Sequence, residues 1–224
     1  MELSRSTGSF GKKPIDLIIF DQDGTLVDSR ADISNAVNHA LKNLDLPLLA
    51  TDTITGYVGE GITKLMENAL GPHGGLLEEG LSLFLEYYSS HIADNTHIYP
   101  NVLEILEYFR SKRKAVISNK LESLTRDLLR ELGILHYFDI ILGGDSTGRK
   151  KPFPDPIIKV LDEFSIKSSS ALIIGDSPTD IEAGREAGVF TCGVTYGYRG
   201  RDQILTAKPD FIIDDIIKLK EIIE

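Results

Sequence analysis

The sequence has 224 residues. At roughly 150 residues per domain, this length predicts one large core with a smaller inserted or appended module. Hydrophobic residues make up 42% and charged residues 26% of the chain, which excludes a disordered protein, a collagen-like repeat and a coiled coil. The formal net charge of −10 disfavours nucleic-acid binding, so an anionic ligand would need locally placed cations.

Cysteine content and hydropathy indicate the cellular compartment in which the protein is expected. The single cysteine, Cys192, excludes an intrachain disulfide and fits a reducing compartment. No apolar run approaches the roughly 18 residues that a membrane helix needs, and the polar, basic residues 1–14 lack the apolar segment of a signal peptide. We therefore expect a cytoplasmic monomer or homodimer without a nucleic-acid or membrane partner, and a flexible tail at residues 1–14.

Apolar runs predict six buried strands. The first, residues 15–20, is almost continuously apolar, as expected of a strand buried on both faces. The later strands are predicted at residues 114–118, 139–142, 171–174, 190–194 and, as an edge strand, 211–213. Helical patterns separate them at residues 102–111, 121–132, 155–164 and 179–187. This alternation predicts an α/β fold with a doubly wound, mostly parallel, Rossmann-like sheet.

One interval, residues 29–99, breaks the alternation. It contains no convincing strand but three helical patterns, at residues 31–44, 60–70 and 76–91. Since about seventy residues is too long for a simple connection between strand and helix, we predict an inserted small α-helical cap domain above the edge of the sheet where ligands bind. The core domain would then comprise residues 15–28 and 100–224. Tyr87 and Tyr88 could pack inside the cap or line its pocket, and we favour packing.

Two carboxylates follow the first predicted strand. Asp21 and Asp23 lie on the same side of the chain, where two neighbouring negative charges repel each other unless a cation joins them. A hard divalent cation such as Mg²⁺, which prefers oxygen ligands, suits this pair. A turn stabilised by an aspartate side chain is the alternative, and a calcium-binding hand fits less well because the glycine comes too early.

A second acidic motif, GDSPTD at residues 175–180, follows another predicted strand and opens a helix. Taken alone, it is typical of an ordinary helix N-cap. If the two strands are neighbours, however, Asp21, Asp23 and Asp176 would meet around one ion at the carboxyl edge of the sheet.

Two further motifs carry groups suited to phosphate. Ser118 and Asn119, with Lys120 beside them, end a predicted strand and offer a hydroxyl, an amide and backbone N–H groups to a phosphoryl oxygen. Lys151 lies in the proline-rich run KKPFPDP at residues 150–156, where a fixed ammonium could neutralise a transferring group. A strand-to-helix cap and a solvated lysine pair are the respective structural alternatives.

The motifs DQDGT, SN, KKPFPDP and GDSPTD, in this order and at strand ends, resemble those of the haloacid dehalogenase-like phosphohydrolases. The helical interval after the first motif resembles the small cap of that family. Within the family, the segments at residues 58–70, 150–156 and 195–200 resemble the phosphoglycolate phosphatases.

The resemblance implies a role for each motif residue. Asp21 corresponds to the nucleophile that forms an aspartyl-phosphate, and Asp23 to the acid/base that protonates the leaving oxygen and then activates water. The other implied roles are Mg²⁺ ligands (Asp21, Asp176 and Asp23 through its backbone carbonyl), support of the metal (Asp180), and phosphoryl binding and charge compensation (Ser118, Asn119 and Lys151). This agrees with general chemistry, because a carboxylate nucleophile divides hydrolysis into two steps and phosphoryl transfer needs cations around its oxygens.

The expected function is a Mg²⁺-dependent phosphatase for a small phosphomonoester, with 2-phosphoglycolate as the leading substrate. Gly59, Glu60 and Gly61 precede a cap helix and could bind a small carboxylate or merely join two helices. The alternatives are a phosphosugar mutase similar to β-phosphoglucomutase, an inorganic pyrophosphatase of the same fold, and a metal-binding module without activity. Asp23 argues against the last, since a binding module needs no acid there, and against a dehalogenase, whose branch lacks it.

Overall fold

The computed structural model describes residues 12–224. Most of the tail predicted at residues 1–14 therefore lies outside the described residues. Of its last residues, Lys13 forms a parallel bridge with Ile223 near the carboxyl terminus, and its backbone N–H donates to the Ile222 carbonyl at 2.7 Å. No helix in the described part of the chain is long and apolar enough to cross a membrane.

A six-stranded parallel sheet forms the centre of the described chain. Its spatial order is β5-β4-β1-β6-β7-β8, which confirms the predicted strands and the edge position of the last one. The strands are β1 (Leu17–Phe20), β4 (Arg113–Ile117), β5 (Ile140–Leu142), β6 (Ala171–Gly175), β7 (Phe190–Val194) and β8 (Phe211–Ile213). The numbers β2 and β3 belong to two short strands described below.

Both faces of the sheet are buried. Along β1, Leu17 and Ile19 pack into one apolar cluster, while Ile18 and Phe20 pack into another on the opposite face, because successive side chains of a strand point to opposite sides. The covering core helices are α5 (Val102–Tyr108), α6 (Glu122–Glu131), α7 (Asp155–Phe164), α8 (Pro178–Ala187), α9 (Arg201–Ala207) and α10 (Leu219–Ile222). The continuously apolar strands are thereby explained.

The interval after β1 forms a group of four helices, which we call the cap: α1 (Arg30–Asn43), α2 (Thr51–Tyr57), α3 (Ile62–Leu70) and α4 (Leu77–Ser90). Three were predicted; α2 was not, because it buries only Ile54 and Thr55 and so shows no apolar period. The helix predicted from residue 60 begins at Ile62 instead, since Gly61 has a φ of 87° that is incompatible with a helix.

Two strands of two residues each connect the core to the cap. Strand β2 (Val27–Asp28) pairs in antiparallel fashion with β3 (His97–Ile98), so the outgoing and returning connections run side by side. The expectation of no strand within residues 29–99 was wrong at this point, because two residues are too few to show an alternating pattern. Asp32 at the start of α1 reinforces the pairing, as its carboxylate accepts hydrogen bonds from the backbone N–H groups of Asn95 and Thr96.

Candidate active site

The acidic motifs meet at the carboxyl ends of two neighbouring strands. Asp21 follows β1 and Asp176 follows β6, and these strands pair in register, so both carboxylates emerge at the same edge. Asp21, Asp176 and Asp180 offer carboxylate oxygens that lie within 4.8 Å of one another. The turn needs glycine at Gly24, where φ is 83° and an added Cβ would lie 2.2 Å from Oδ2 of Asp176.

The electrostatics of this cluster suit a cation. Burial and the charge of Asp180 raise the pKa of Asp21 well above its usual value, against the opposing effect of Lys151. Burial, again with Asp180, raises the pKa of Asp176 to about 7. Three close carboxylates share one ammonium, so negative charge is in excess. Because Mg²⁺ prefers oxygen ligands and is usually bound through one or two carboxylates, this set of donors fits it.

Lys151 is the ammonium inside the cluster. It is 3% exposed, and its Nζ donates to Oδ1 of Asp21 at 2.8 Å, to Oδ1 of Asp180 at 2.6 Å and to the Ile117 carbonyl at 2.6 Å. Burial opposes its charge, but the two carboxylates outweigh this effect and raise the pKa of Lys151. The lysine therefore remains charged and occupies a fixed position beside Asp21.

Asp180 serves the local helix as well as the cluster. Its Oδ2 accepts from the backbone N–H of Ser177 at 3.1 Å and from the Ser177 hydroxyl at 2.6 Å, which forms a capping box at the start of α8. The N-cap interpretation of this motif and the proposed support of a metal are thus compatible, because one oxygen caps the helix and the other binds Lys151.

Asp23 lies outside the three-carboxylate cluster and has its own partners. Its Oδ1 accepts from the Ser29 hydroxyl at 2.6 Å and from Nζ of Lys120 at 2.9 Å. The Lys120 Nζ also donates to the Tyr88 hydroxyl of cap helix α4 at 2.8 Å. Burial opposes the charge of Lys120, but Asp23 and Tyr88 outweigh it and raise its pKa. A hydrogen-bonded chain therefore joins core and cap.

The hydrogen-bonded series Asp23–Lys120–Tyr88 was not predicted from the sequence. For Tyr88, packing was favoured over lining a pocket, yet this residue lines the cleft and its hydroxyl accepts a hydrogen bond from Lys120. Lys120 stands next to the Ser118-Asn119 motif, and that adjacency was the one available signal. Ser29 is the first residue after β2, and its hydroxyl and the Tyr198 hydroxyl lie 2.9 Å apart. Tyr198 belongs to a loop 169 residues further along the chain, which no local pattern reveals.

The Ser118-Asn119 motif divides its two side chains between different tasks. Ser118 lines the cleft between core and cap, and its Oγ accepts from the backbone N–H of Lys120 at 3.1 Å. The Asn119 side-chain amide instead donates to the Gly59 carbonyl at 2.8 Å and to the Lys151 carbonyl at 2.9 Å. The N–H groups of the Asn119 side chain are thus already bonded to main-chain carbonyls and are not free to donate to a phosphoryl group.

Three core side chains hold the cap segment at residues 56–60 through its carbonyl oxygens. Besides Asn119, Lys150 donates to the Glu60 carbonyl at 2.6 Å. Arg199 donates to the carbonyl oxygens of Gly56, at 3.1 Å, and Val58. Since only main-chain atoms accept, we call these contacts the backbone clasp.

The cleft itself lies between the carboxylate edge and the cap. Its floor is polar, with Asp21, Asp23, Ser118, Lys120, Lys151 and Asp176. The wall on the cap side is formed by Val58, Gly59, Gly61, Ile62, Leu65, Phe84 and Tyr88. Gly59 and Gly61 therefore border the cleft as expected, whereas Glu60 is exposed and is not among the lining residues.

A parallel sheet whose central strands end in carboxylates and a buried lysine, beneath a helical insert, defines an α/β enzyme with an acidic centre that could hold a cation. Residues 18–194 match the family model described as haloacid dehalogenase-like hydrolase. The chain belongs to this family and is a hydrolase.

The chain is similar to several known proteins over almost its whole length. It is 39% identical to a phosphoglycolate phosphatase of Aquifex aeolicus over 92% of this chain and 96% of that protein. It is 34% identical to one of Nitrosococcus oceani, with 95% and 97% covered. A crystal structure described as a predicted phosphoglycolate phosphatase from Haemophilus somnus superposes with a TM-score of 0.89 at 32% identity, covering 94% of this chain and 99% of that one.

Proposed function

We propose that this hydrolase is a Mg²⁺-dependent phosphatase that cleaves a small phosphomonoester, 2-phosphoglycolate, through an aspartyl-phosphate on Asp21. The observation that carries the proposal is the geometry around Asp21: a buried lysine 2.8 Å from one of its oxygens, two further carboxylates within 4.8 Å, and Asp23 two residues away at the same cleft. The names of the relatives support the substrate.

The metal would be held by Asp21, Asp176 and the backbone carbonyl of Asp23, with Asp180 behind them. When bound, Mg²⁺ supplies positive charge to the phosphoryl oxygens and to the crowded carboxylates. Lys151 adds a second, permanent positive charge beside one oxygen of Asp21. Together the two cations would compensate the excess negative charge of the cluster.

In the first step, an Asp21 carboxylate oxygen attacks phosphorus and the bond from phosphorus to the ester oxygen breaks. Lys151 fixes one oxygen of Asp21, and no side chain in the described residues donates to the other, so that oxygen is available as the nucleophile. Ser118, which lines the cleft, and nearby backbone N–H groups would hold the phosphoryl oxygens, and Gly59 and Gly61 on the cap side would limit the size of the ester.

Asp23 handles the protons of both steps. As a carboxylic acid it donates its proton to the leaving ester oxygen, and as a carboxylate it then takes a proton from the water that hydrolyses the aspartyl-phosphate. Its Oδ1 is held by Ser29 and Lys120, which leaves Oδ2 to exchange the proton. The cap above the cleft excludes bulk water while the first transfer takes place.

The test is phosphate release from a panel of phosphoglycolate, pyrophosphate, sugar phosphates and nucleotides, with the Asp21→Asn protein as blank. We expect release with phosphoglycolate preferred, loss of release on chelation and recovery on adding Mg²⁺. Turnover by Asp21→Asn would contradict the nucleophile, and chelator-resistant turnover would contradict the metal. Interconversion of sugar phosphates without free phosphate would point to a mutase, and preference for pyrophosphate to a pyrophosphatase.

A further inference from the structure

Lys120 is a charged group in the cleft to which the reaction described above gives no bond-making task. Its side chain is 10% exposed and lines the cleft. Two of its three N–H groups are used, by Oδ1 of Asp23 and by the Tyr88 hydroxyl. Within residues 12–224, the third N–H has no acceptor, so a lysine held rigidly on both sides still has one donor to offer.

The other cations that line the cleft are engaged differently. Lys151 is shared between Asp21 and Asp180 and belongs to the phosphoryl end of the cleft. Arg199 is directed to the carbonyl oxygens of Gly56 and Val58 in the backbone clasp. Lys120 is therefore the lining cation in direct contact with Asp23.

The structure of the leaving group determines which part of the substrate comes close to Lys120. The ester oxygen must come within hydrogen-bond reach of Asp23 to receive its proton. In 2-phosphoglycolate, the carboxylate carbon is only two covalent bonds beyond that oxygen. A substrate carboxylate is thus carried to the immediate surroundings of Asp23, where the unused N–H of Lys120 lies.

We propose that Lys120 binds the carboxylate of the substrate and thereby determines specificity for phosphomonoesters that carry a carboxylate next to the ester carbon. The inference rests on the proposed phosphatase function and specifies its substrate class. Tyr88 orients Nζ from the cap side, so the subsite is complete only when cap and core are in contact. When an ester without the carboxylate binds, the desolvated Lys120 ammonium lacks an acceptor for its third N–H group. Such an ester should therefore bind more weakly.

The experiment compares phosphoglycolate with 2-hydroxyethyl phosphate, which has the same alkyl leaving oxygen but a neutral hydroxymethyl group in place of the carboxylate. We expect the variant Lys120→Met to lose kcat/KM for phosphoglycolate by at least about tenfold more than for 2-hydroxyethyl phosphate, mainly through KM, as for removal of one charge-assisted hydrogen bond. Lys120→Arg, which keeps a charge, should restore part of the preference and also guards against a folding defect of the methionine variant.

Two matched variants identify which cation is responsible. Lys150→Met removes the same charge from a neighbouring lysine that binds the cap backbone outside the cleft lining, so it should affect both esters alike. Arg199→Gln removes the cleft-lining cation that belongs to the backbone clasp and should also affect both esters alike. A selective loss in Arg199→Gln, or an equal loss of kcat for both esters in Lys120→Met and Lys120→Arg, would overturn the assignment and leave Lys120 as a residue that only positions Asp23.

The failure of the inference differs from failure of the proposed function. If the unmodified enzyme prefers phosphoglycolate but Lys120→Met keeps that preference, the carboxylate subsite is wrong while the phosphatase stands. If the unmodified enzyme releases phosphate from both esters without preference, the proposed substrate is wrong and the subsite falls with it.

Discussion

Two groups of charged side chains meet in one cleft but are built differently. The carboxylate cluster, formed by Asp21, Asp176, Asp180 and Lys151, comes entirely from the core, from loops at strand ends and the first turn of α8, and its ion pairs stay within the core. The chain Asp23–Lys120–Tyr88 crosses from core to cap. The comparison shows that the charges around Asp21 are held by contacts within the core, whereas the contacts of Asp23 extend to the cap, and we expect selection of the substrate to depend on how the cap docks.

The largest effect should come from the core cluster. Lys151→Met leaves the buried carboxylates of Asp21 and Asp180 without their cation, and we expect phosphate release to fall by about 10²–10³-fold. Unfolding without metal should become easier by about 3 kcal/mol, since one partner of a buried ion pair is removed. Saturating Mg²⁺ should return part of this stability. Kinetics and denaturant unfolding with and without Mg²⁺ check both, and a variant as stable as the parent would contradict the cluster.

Asp32, which joins the start of α1 to the segment before β3, should make a pH-dependent contribution to the free energy of unfolding. Burial works against the charge of Asp32, but hydrogen bonds from Asn95 and Thr96 outweigh it and lower its pKa. A lowered folded pKa adds stability above the unfolded value of about 3.9, and this stability is lost as pH falls through the folded pKa. Asp32→Asn should therefore cost about 2 kcal/mol at pH 7.

The measurement for Asp32 is urea unfolding of parent and variant from pH 7 downwards. The difference should stay constant to about pH 4 to 5 and shrink below it, as the parent carboxyl becomes protonated. A difference that grows on acidification has the wrong sign and would refute the stabilising charge.

Strain introduced next to the backbone clasp, at Gly61, should weaken the docking of the cap and lower activity. At Gly61, φ is 87°, and an added Cβ would lie 2.9 Å from the Lys150 ammonium and 3.0 Å from the Asn119 carbonyl oxygen. Gly61→Ala should therefore disturb the docked cap, and kcat/KM should fall about tenfold, in line with 1–3 kcal/mol for a strained conformation. Gly56→Ala is the matched control, because nothing lies within 4 Å of its added Cβ. Equal activity of the two variants would show that the cap docks differently.

The smallest effect is expected at the tyrosine that crosses from the cap. Tyr88→Phe removes one hydrogen bond to Lys120, and KM for phosphoglycolate should rise several-fold, as for about 1 kcal/mol. The control is Tyr87→Phe, since Tyr87 stacks between His39 and His91 and does not line the cleft. If both variants behave like the parent enzyme, the hydroxyl does not orient Lys120.

Prediction from the sequence succeeded where the signal was local. The six strands are short apolar runs with polar ends, and the sheet buries both faces, so the local apolar runs were sufficient to locate them. Helix α2 and strand β3 escaped because the first buries only two residues and the second is two residues long. The roles of Asp21, Asp23 and Asp176 rest on family motifs and are proposals, of which the Asp21→Asn variant tests the nucleophile and chelation tests the metal.

The sequence by itself determined the α/β fold, the helical insert and the presence of acidic residues at strand ends. These features depend on residues that are close together in the sequence, since each buried strand is one apolar run and each motif directly follows a strand. Only the tertiary structure decided that Lys120 contacts Asp23, that Tyr88 reaches Lys120 from the cap, and that Asn119 holds the main chain of Gly59. These contacts join residues 97, 32 and 60 positions apart. No local pattern encodes them, since they depend on how the cap packs against the core.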